Sequence, residues 1–273
     1  MLIKALILFR NWCFFILKFI KIGGKIMKKL VKFLMAMVVI GLFAACGGEK
    51  ESAKPAADKV YVIGTNAEYP PFEYLEDGQV CGLDADIIAA AAEKMGIKYK
   101  WSNMNFDGLI PALQTKKVNA VIAGMSITPE RSKAVNFSMP YLTSNVAFIA
   151  NKNNPINGAE ELEGKNYGAE LGTTKEAVAR KIKGATVTPF SSNTGALVAL
   201  KSGKIDGIVL DESVGIEFVK NNPELMMAAV LEGEPKAIAF NKDDNELKEK
   251  FDKALKELIE DGTIQKLREK YGV

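Results

Sequence analysis

The sequence of 273 residues contains no histidine. That removes Ser–His nucleophile pairs, imidazole general bases and histidine-rich metal sites. Cysteine is scarce as well. Cys13 and Cys46 fall in the front end, so Cys81 has no partner for an intrachain disulfide in the rest of the chain. The first 45 residues carry eight Lys and Arg and no acid at all. Without them the chain has 28 basic against 33 acidic residues, a net charge of −5. The formal +3 of the whole sequence therefore belongs to its front end. It gives no ground for a nucleic-acid partner.

The front end has a definite layout. From Met27 it reads "MKKLVKFLMAMVVIGLFAACGGEKE". Lys28, Lys29 and Lys32 precede a short apolar run, Leu34 to Phe43, and Ala44 and Ala45 lead into Cys46. This is the pattern of a secretory signal peptide, too short for a comfortable membrane span. The competing reading is an uncleaved helical anchor. The ending "LFAAC" resembles the lipobox of bacterial lipoproteins, although Phe43 stands where that motif more often has Leu. The resemblance implies a lipid on the Cys46 thiol and cleavage before it. Residues 1–26 are apolar and basic and could form a first membrane helix. However, Gly23-Gly24 ahead of Met27 is what a translated purine-rich ribosome-binding site would give. Residues 1–26 are therefore expected to be a mis-assigned extension, with 27–45 the signal peptide. Residues 46–58 are small, charged and aperiodic, and read as a flexible tether.

From Val60 onward the pattern alternates between strand and helix. "VYVIGT" is a β-branched run. "DADIIAAAAEKMG" places Ile87, Ile88, Ala91 and Met95 at helical spacing and ends on Gly96. "IKYKWSNM" reads as a strand, "FDGLIPALQTKK" as a helix with Pro111 confined to its first turn, and "VNAVIAGM" as a buried strand. A second cycle follows Tyr141: "NVAFIANK", "NYGAELG", helix "TTKEAVARKI", "ATVTPF", helix "TGALVALKSG" and "IDGIVLDE". "KAIAFNK" is a late strand, and two amphipathic helices broken at Asp261-Gly262 close the chain. Two such cycles predict an α/β protein of two lobes, each a mostly parallel sheet flanked by helices.

Four segments offer chemistry where strands end, the usual place for a crevice in open α/β sheets. In "GTNAEYPPFEY", Tyr69 and its neighbours either cover a small ligand or pack on the core. In "AGMSITPER", a strand delivers Gly124, Met125 and Ser126 to the crevice edge, and Arg131 offers a planar fork matched to a carboxylate. Its plainer alternative is a surface arginine in a capping turn. In "ELGTTKEA", Thr173-Thr174 open a helix whose free N–H groups either bind an anion or are simply capped. In "GIVLDES", Asp211 either meets an ammonium group or caps the next helix.

Together, in this order, these segments and the "DGTIQKLREKYG" ending resemble the amino-acid-binding family of bacterial ABC-transporter solute receptors, with the periplasmic-binding-protein type II fold. The resemblance covers the chain from about Asp58 to its end. It implies that Arg131 clamps a ligand α-carboxylate with the N–H groups of Ser126 and Thr174. Asp211 would take the α-ammonium with the Gly124 carbonyl and the Ser126 hydroxyl, and Tyr69 and Phe106 would sandwich the side chain. Asn66 and Glu170 lie where the family reads that side chain. The implied lobes are 59–143 with 236–273, and 144–235, with two hinge crossings. The wording is nearest to receptors of basic amino acids, arginine first, although some of those carry Asp where this chain has Asn66.

The expected protein is thus an extracytoplasmic, lipid-anchored, monomeric amino-acid receptor working with an ABC permease, with no cofactor, metal or nucleic acid. A receptor for a neutral polar amino acid such as glutamine or cystine, and a sensory binding protein, are the alternatives. A dehydratase-like enzyme of the same fold would need a positioned acid with a tuned pKa, which the sequence does not mark.

Cys46→Ser should shift the protein from the membrane to the soluble fraction on cell fractionation, and labelled fatty acid on the variant would refute the anchor. A start at Met27 should give the same abundance as the full reading frame, and a peptide from residues 1–26 in cell extracts would refute it.

Overall fold

The computed structural model describes residues 59–273, so Cys46, the signal peptide and the tether lie outside the described residues. One sheet contains β1 (Val60–Thr65), β5 (Lys98–Asn103), β6 (Ala120–Val121), β7 (Val135–Phe137) and β13 (Ala239–Asn241), in the order β5-β1-β6-β13-β7. The other contains β8 (Leu142–Asn151), β9 (Asn166–Glu170), β10 (Thr186–Phe190), β11 (Gly207–Asp211) and β12 (Leu225–Lys236), in the order β10-β9-β11-β8-β12.

The two sheets share one topology. In the first, β1 runs parallel to β5 and β6, and only β13 is reversed. In the second, β9 runs parallel to β10 and β11, and only β8 is reversed. Each reversed strand directly follows a passage from one sheet to the other. A three-stranded sheet of β2 (Glu68–Tyr69), β3 (Glu73–Glu76) and β4 (Gln79–Cys81) follows β1. The chain is α/β with two sheet-based lobes, as the alternating pattern predicts.

The helices among the described residues are α1 (Leu83–Met95), α2 (Phe106–Gln114), α3 (Pro129–Ala134), α4 (Thr174–Lys181), α5 (Asn193–Lys201), α6 (Glu212–Asn221), α7 (Asn245–Glu260) and α8 (Thr263–Tyr271). Helix α1 buries Ile87, Ile88 and Ala91 and stops at Gly96, whose φ of 63° favours a residue without Cβ. Helix α7 buries Leu247, Phe251, Ala254, Leu255 and Leu258, one face at helical spacing. Its start is capped by Asp244, which accepts from the Leu247 N–H at 3.3 Å. Phe251 meets Phe240 of β13 at 5.4 Å between ring centres, which ties the tail to the first sheet.

Three expectations need correction. Pro111 lies well inside α2 and not in its first turn. It has no N–H for the Asp107 carbonyl, at a cost of about 3 kcal/mol. Full burial of Leu109 and Leu113 on the same helix contributes ~1.5–3 kcal/mol each, which offsets it. The run "VNAVIAGM" pairs as a strand only at Ala120–Val121. And β12, the longest strand at 12 residues, has no counterpart in the pattern-based reading. Register shifts at Met227/Ala229 and Leu231/Glu234 break its alternation. Its edge position lets it carry Pro235.

The second of those bulges depends on Gly233. A Cβ there would lie 1.7 Å from the Ser144 carbonyl oxygen of β8. Gly233→Ala should force β8 and β12 apart and destabilise the fold by ~1–3 kcal/mol or more, read as a lower urea midpoint. An unchanged midpoint would mean that the strands separate there without cost.

Candidate functional site

The carboxyl ends of β1 and β6 in the first sheet face those of β9 and β11 in the second, and the polar residues at these ends converge. Tyr69 crosses from one sheet to the other. Its hydroxyl donates to Asp211 Oδ2 at 3.0 Å and accepts from the Asp211 N–H at 2.9 Å. Arg131 also crosses. Its Nη1 donates to the Ser126 carbonyl at 2.9 Å and its Nη2 to the Gly172 carbonyl at 3.0 Å. Ser126 Oγ and Thr174 Oγ1 lie 3.3 Å apart.

Local sequence sets these groups in place. Thr128 Oγ1 accepts from the Arg131 N–H at 3.1 Å and Pro129 opens α3, so the backbone of Arg131 sits in a capping turn while its side chain is buried. Its guanidinium stands 5.1 Å from the centre of the Phe106 ring, a cation–π contact. Thr173 caps α4 by accepting from the Glu176 N–H at 3.2 Å, which makes Thr174 the first helical residue. Gly124 has a φ of 50°, and its N–H donates to buried Asp84 Oδ2 at 2.7 Å.

Asp211 is the N-cap residue of α6, yet its side chain makes no capping bond. It is fully buried and pairs with two lysines. Lys236 Nζ lies 2.7 Å from Oδ1, and Lys175 Nζ hydrogen-bonds Oδ2. Lys236 also donates to Ser126 Oγ at 2.9 Å, and Lys175 lies 5.6 Å from the centre of the Tyr69 ring. Burial pushes the Asp211 carboxyl upward, but Lys175 and Lys236 together hold it below the usual carboxylate range. Burial lowers the Lys236 ammonium, and Asp211 only partly restores it. Burial also brings the Arg131 guanidinium down to about 10.

The remaining acids behave differently. Glu170 accepts from Asn193 Nδ2 at 2.7 Å through Oε2, while its buried Oε1 has no hydrogen-bond partner among the described residues. Burial pushes its carboxyl up to about 7, against the opposing pull of Asn193 and Lys175. Below Gly124, burial raises Asp84 to about 6, and burial and then the Asp84 charge push Glu73 well up.

The structure therefore brings Tyr69, Phe106, Ser126, Arg131, Glu170, Thr174 and Asp211 into one region. Asn66 is buried beside it, with its Nδ2 committed to the Met104 carbonyl at 3.1 Å. Met125 is not brought in. Its side chain packs in the first-sheet core with Leu109, Leu113 and Val121, and its carbonyl accepts from the Ala237 N–H at 3.1 Å. Sequence reasoning missed Asn193, Lys175 and Lys236. Lys175 did leave a signal, because a lysine in the first turn of a helix opposes the helix dipole. Lys236 ends β12 and begins the run "KAIAFNK" read as a late strand, whose pattern gave no sign that this lysine is buried.

Two α/β lobes whose strand ends bring charged and aromatic residues together, with the chain passing between them twice, define a two-lobed solute receptor. The chain belongs to the bacterial extracellular solute-binding proteins, family 3, which it matches over residues 61–273. It is 32% identical to the arginine-binding extracellular protein ArtP of Bacillus subtilis, covering 90% of this chain and 98% of that protein. An ancestral arginine-binding protein bound to arginine is 40% identical, with a TM-score of 0.75 over 79% of this chain and 99% of its own. An ancestral arginine-binding protein bound to glutamine is 41% identical, with a TM-score of 0.74 over 78% of this chain and 97% of its own. These relatives are named for binding and not for catalysis, and the family is extracellular.

Glu170 makes stability depend on pH. Its carboxyl is raised in the folded state from 4.5 to about 7. The folded state is therefore favoured below pH 4.5 and loses stability up to about pH 7, by about 3 kcal/mol in all. Glu170→Gln should lose less stability than the wild type between pH 5 and pH 8 in urea unfolding. Parallel losses would show that the Glu170 carboxyl is not desolvated.

Proposed function

We propose that the protein is an extracytoplasmic amino-acid receptor of an ABC importer. It takes an L-amino acid, basic and with arginine as first choice, between its two lobes and hands it to a membrane permease. The observation that carries this reading is the convergence of Arg131 and Asp211, buried groups of opposite charge, beside Tyr69 and Phe106. A zwitterion needs one partner of each sign, and its side chain needs aromatic walls. Arg131 keeps donors beyond those on Ser126 and Gly172, and takes the α-carboxylate with the N–H groups of Ser126 and Thr174. Asp211 takes the α-ammonium with Ser126 and the Gly124 carbonyl. Glu170 and Asn66 read the side chain. Lobe 1 comprises 59–143 and 236–273, lobe 2 comprises 144–235, and the β8 and β12 crossings act as the hinge. The receptor works as a monomer, held to the membrane by a lipid on Cys46, and performs no catalysis.

Two similar proteins, ArtP and the ancestral protein solved with arginine, support arginine. A neutral polar amino acid is the second reading, favoured by buried Lys175 and by the relative bound to glutamine.

Calorimetric titration with the amino acids tests the reading. Arg131→Ala should weaken every amino-acid ligand by roughly 30- to several-thousand-fold, the range for breaking one side of a buried charge pair. Wild-type affinity in that variant would refute the carboxylate clamp. Saturating ligand should shrink the radius of gyration in solution scattering, and no change would refute hinge closure.

A further inference from the structure

We propose that Lys175 is a specificity-determining residue of the site, a buried cation that disfavours ligands with a positively charged side chain relative to neutral ones. This rests on the amino-acid-receptor reading above. Lys175 is 6% exposed, and its ammonium lies on Asp211 beside the Tyr69 ring. Asp211 has two further partners, Lys236 at 2.7 Å and the Tyr69 hydroxyl at 3.0 Å.

A ligand ammonium that takes Asp211 therefore displaces Lys175, whose other acid neighbour is Glu170. The Oε1 of Glu170 is buried and hydrogen-bonded to no described residue, so it can receive the displaced amine. Glu170 is also the acid assigned to the ligand side chain. Once Lys175 neutralises it, a guanidinium arriving there meets a paired carboxylate and an adjacent ammonium. An uncharged side chain of the same shape meets no such repulsion. Arg131 and Lys236 add two more buried cations to the region.

L-arginine and L-citrulline isolate this effect, because they share a shape and differ in side-chain charge. Calorimetry on the full chain should show that Lys175→Met raises the arginine-over-citrulline preference by roughly 15- to 55-fold. That is the range for unit charges about 7–10 Å apart at an effective dielectric constant near 20. Lys175→Gln should do the same, and Lys175→Arg, which keeps the cation, should retain the wild-type ratio. Asp211 keeps Lys236 and Tyr69 in each variant, so its charge stays paired. An unmoved ratio in both neutral variants, even with tighter binding of both ligands, overturns the proposal and leaves the receptor reading intact. Failure of the wild type to bind any amino acid overturns the receptor reading and this inference with it.

Discussion

Asp211 is the constraint on which the cleft depends. Burying a carboxylate is costly unless charge and hydrogen bonds surround it. Here two lysines, a tyrosine hydroxyl and the tyrosine's reciprocal bond to the Asp211 N–H supply both. The partners come from distant parts of the chain. Tyr69 follows β1, Lys175 lies in the first turn of α4, and Lys236 ends β12. Satisfying one carboxylate therefore draws residues of both sheets and a crossing strand to one point. Such a pairing is weak evidence for net stability and better evidence for a defined geometry.

A second polar layer lies beneath the first. Gly124 holds a left-handed turn that aims its N–H at Asp84, and Glu73 is buried beside that acid. Phe106 packs its ring against the Arg131 guanidinium. Local rules are broken where this layer meets the cleft. A lysine faces a helix N-terminus, a helix N-cap aspartate caps nothing, and a proline interrupts a helix that starts at the aromatic wall. Clustered exceptions of this kind are expected at functional or strained sites.

The alternation of strands and helices was legible because each strand end is followed by a turn or cap residue, as at Gly172-Thr173 or Asp244. The same punctuation placed Ser126, Arg131, Thr174 and Asp211 at strand and helix ends, where the structure has them. Strand β12 stayed hidden because two bulges erase its period of two. The short β2–β4 strands offer too few residues for any period. Lys236 and Lys175 stayed hidden for another reason. Lysine is a surface residue by default, and only a carboxylate brought close by tertiary structure makes its burial sensible. Met125 erred in the other direction, since its place in a promising segment said nothing about which way its side chain turns.

Strand β13 sits between β6 and β7, although the entire second sheet precedes it in the chain. A polypeptide emerging amino end first presents β6 and β7 with a gap that residues 239–241 must fill. The second sheet can complete its pairing before that strand appears, whereas the first cannot. The half begun earliest is thus the last to close, and its open strand edges are exposed for most of the chain's emergence.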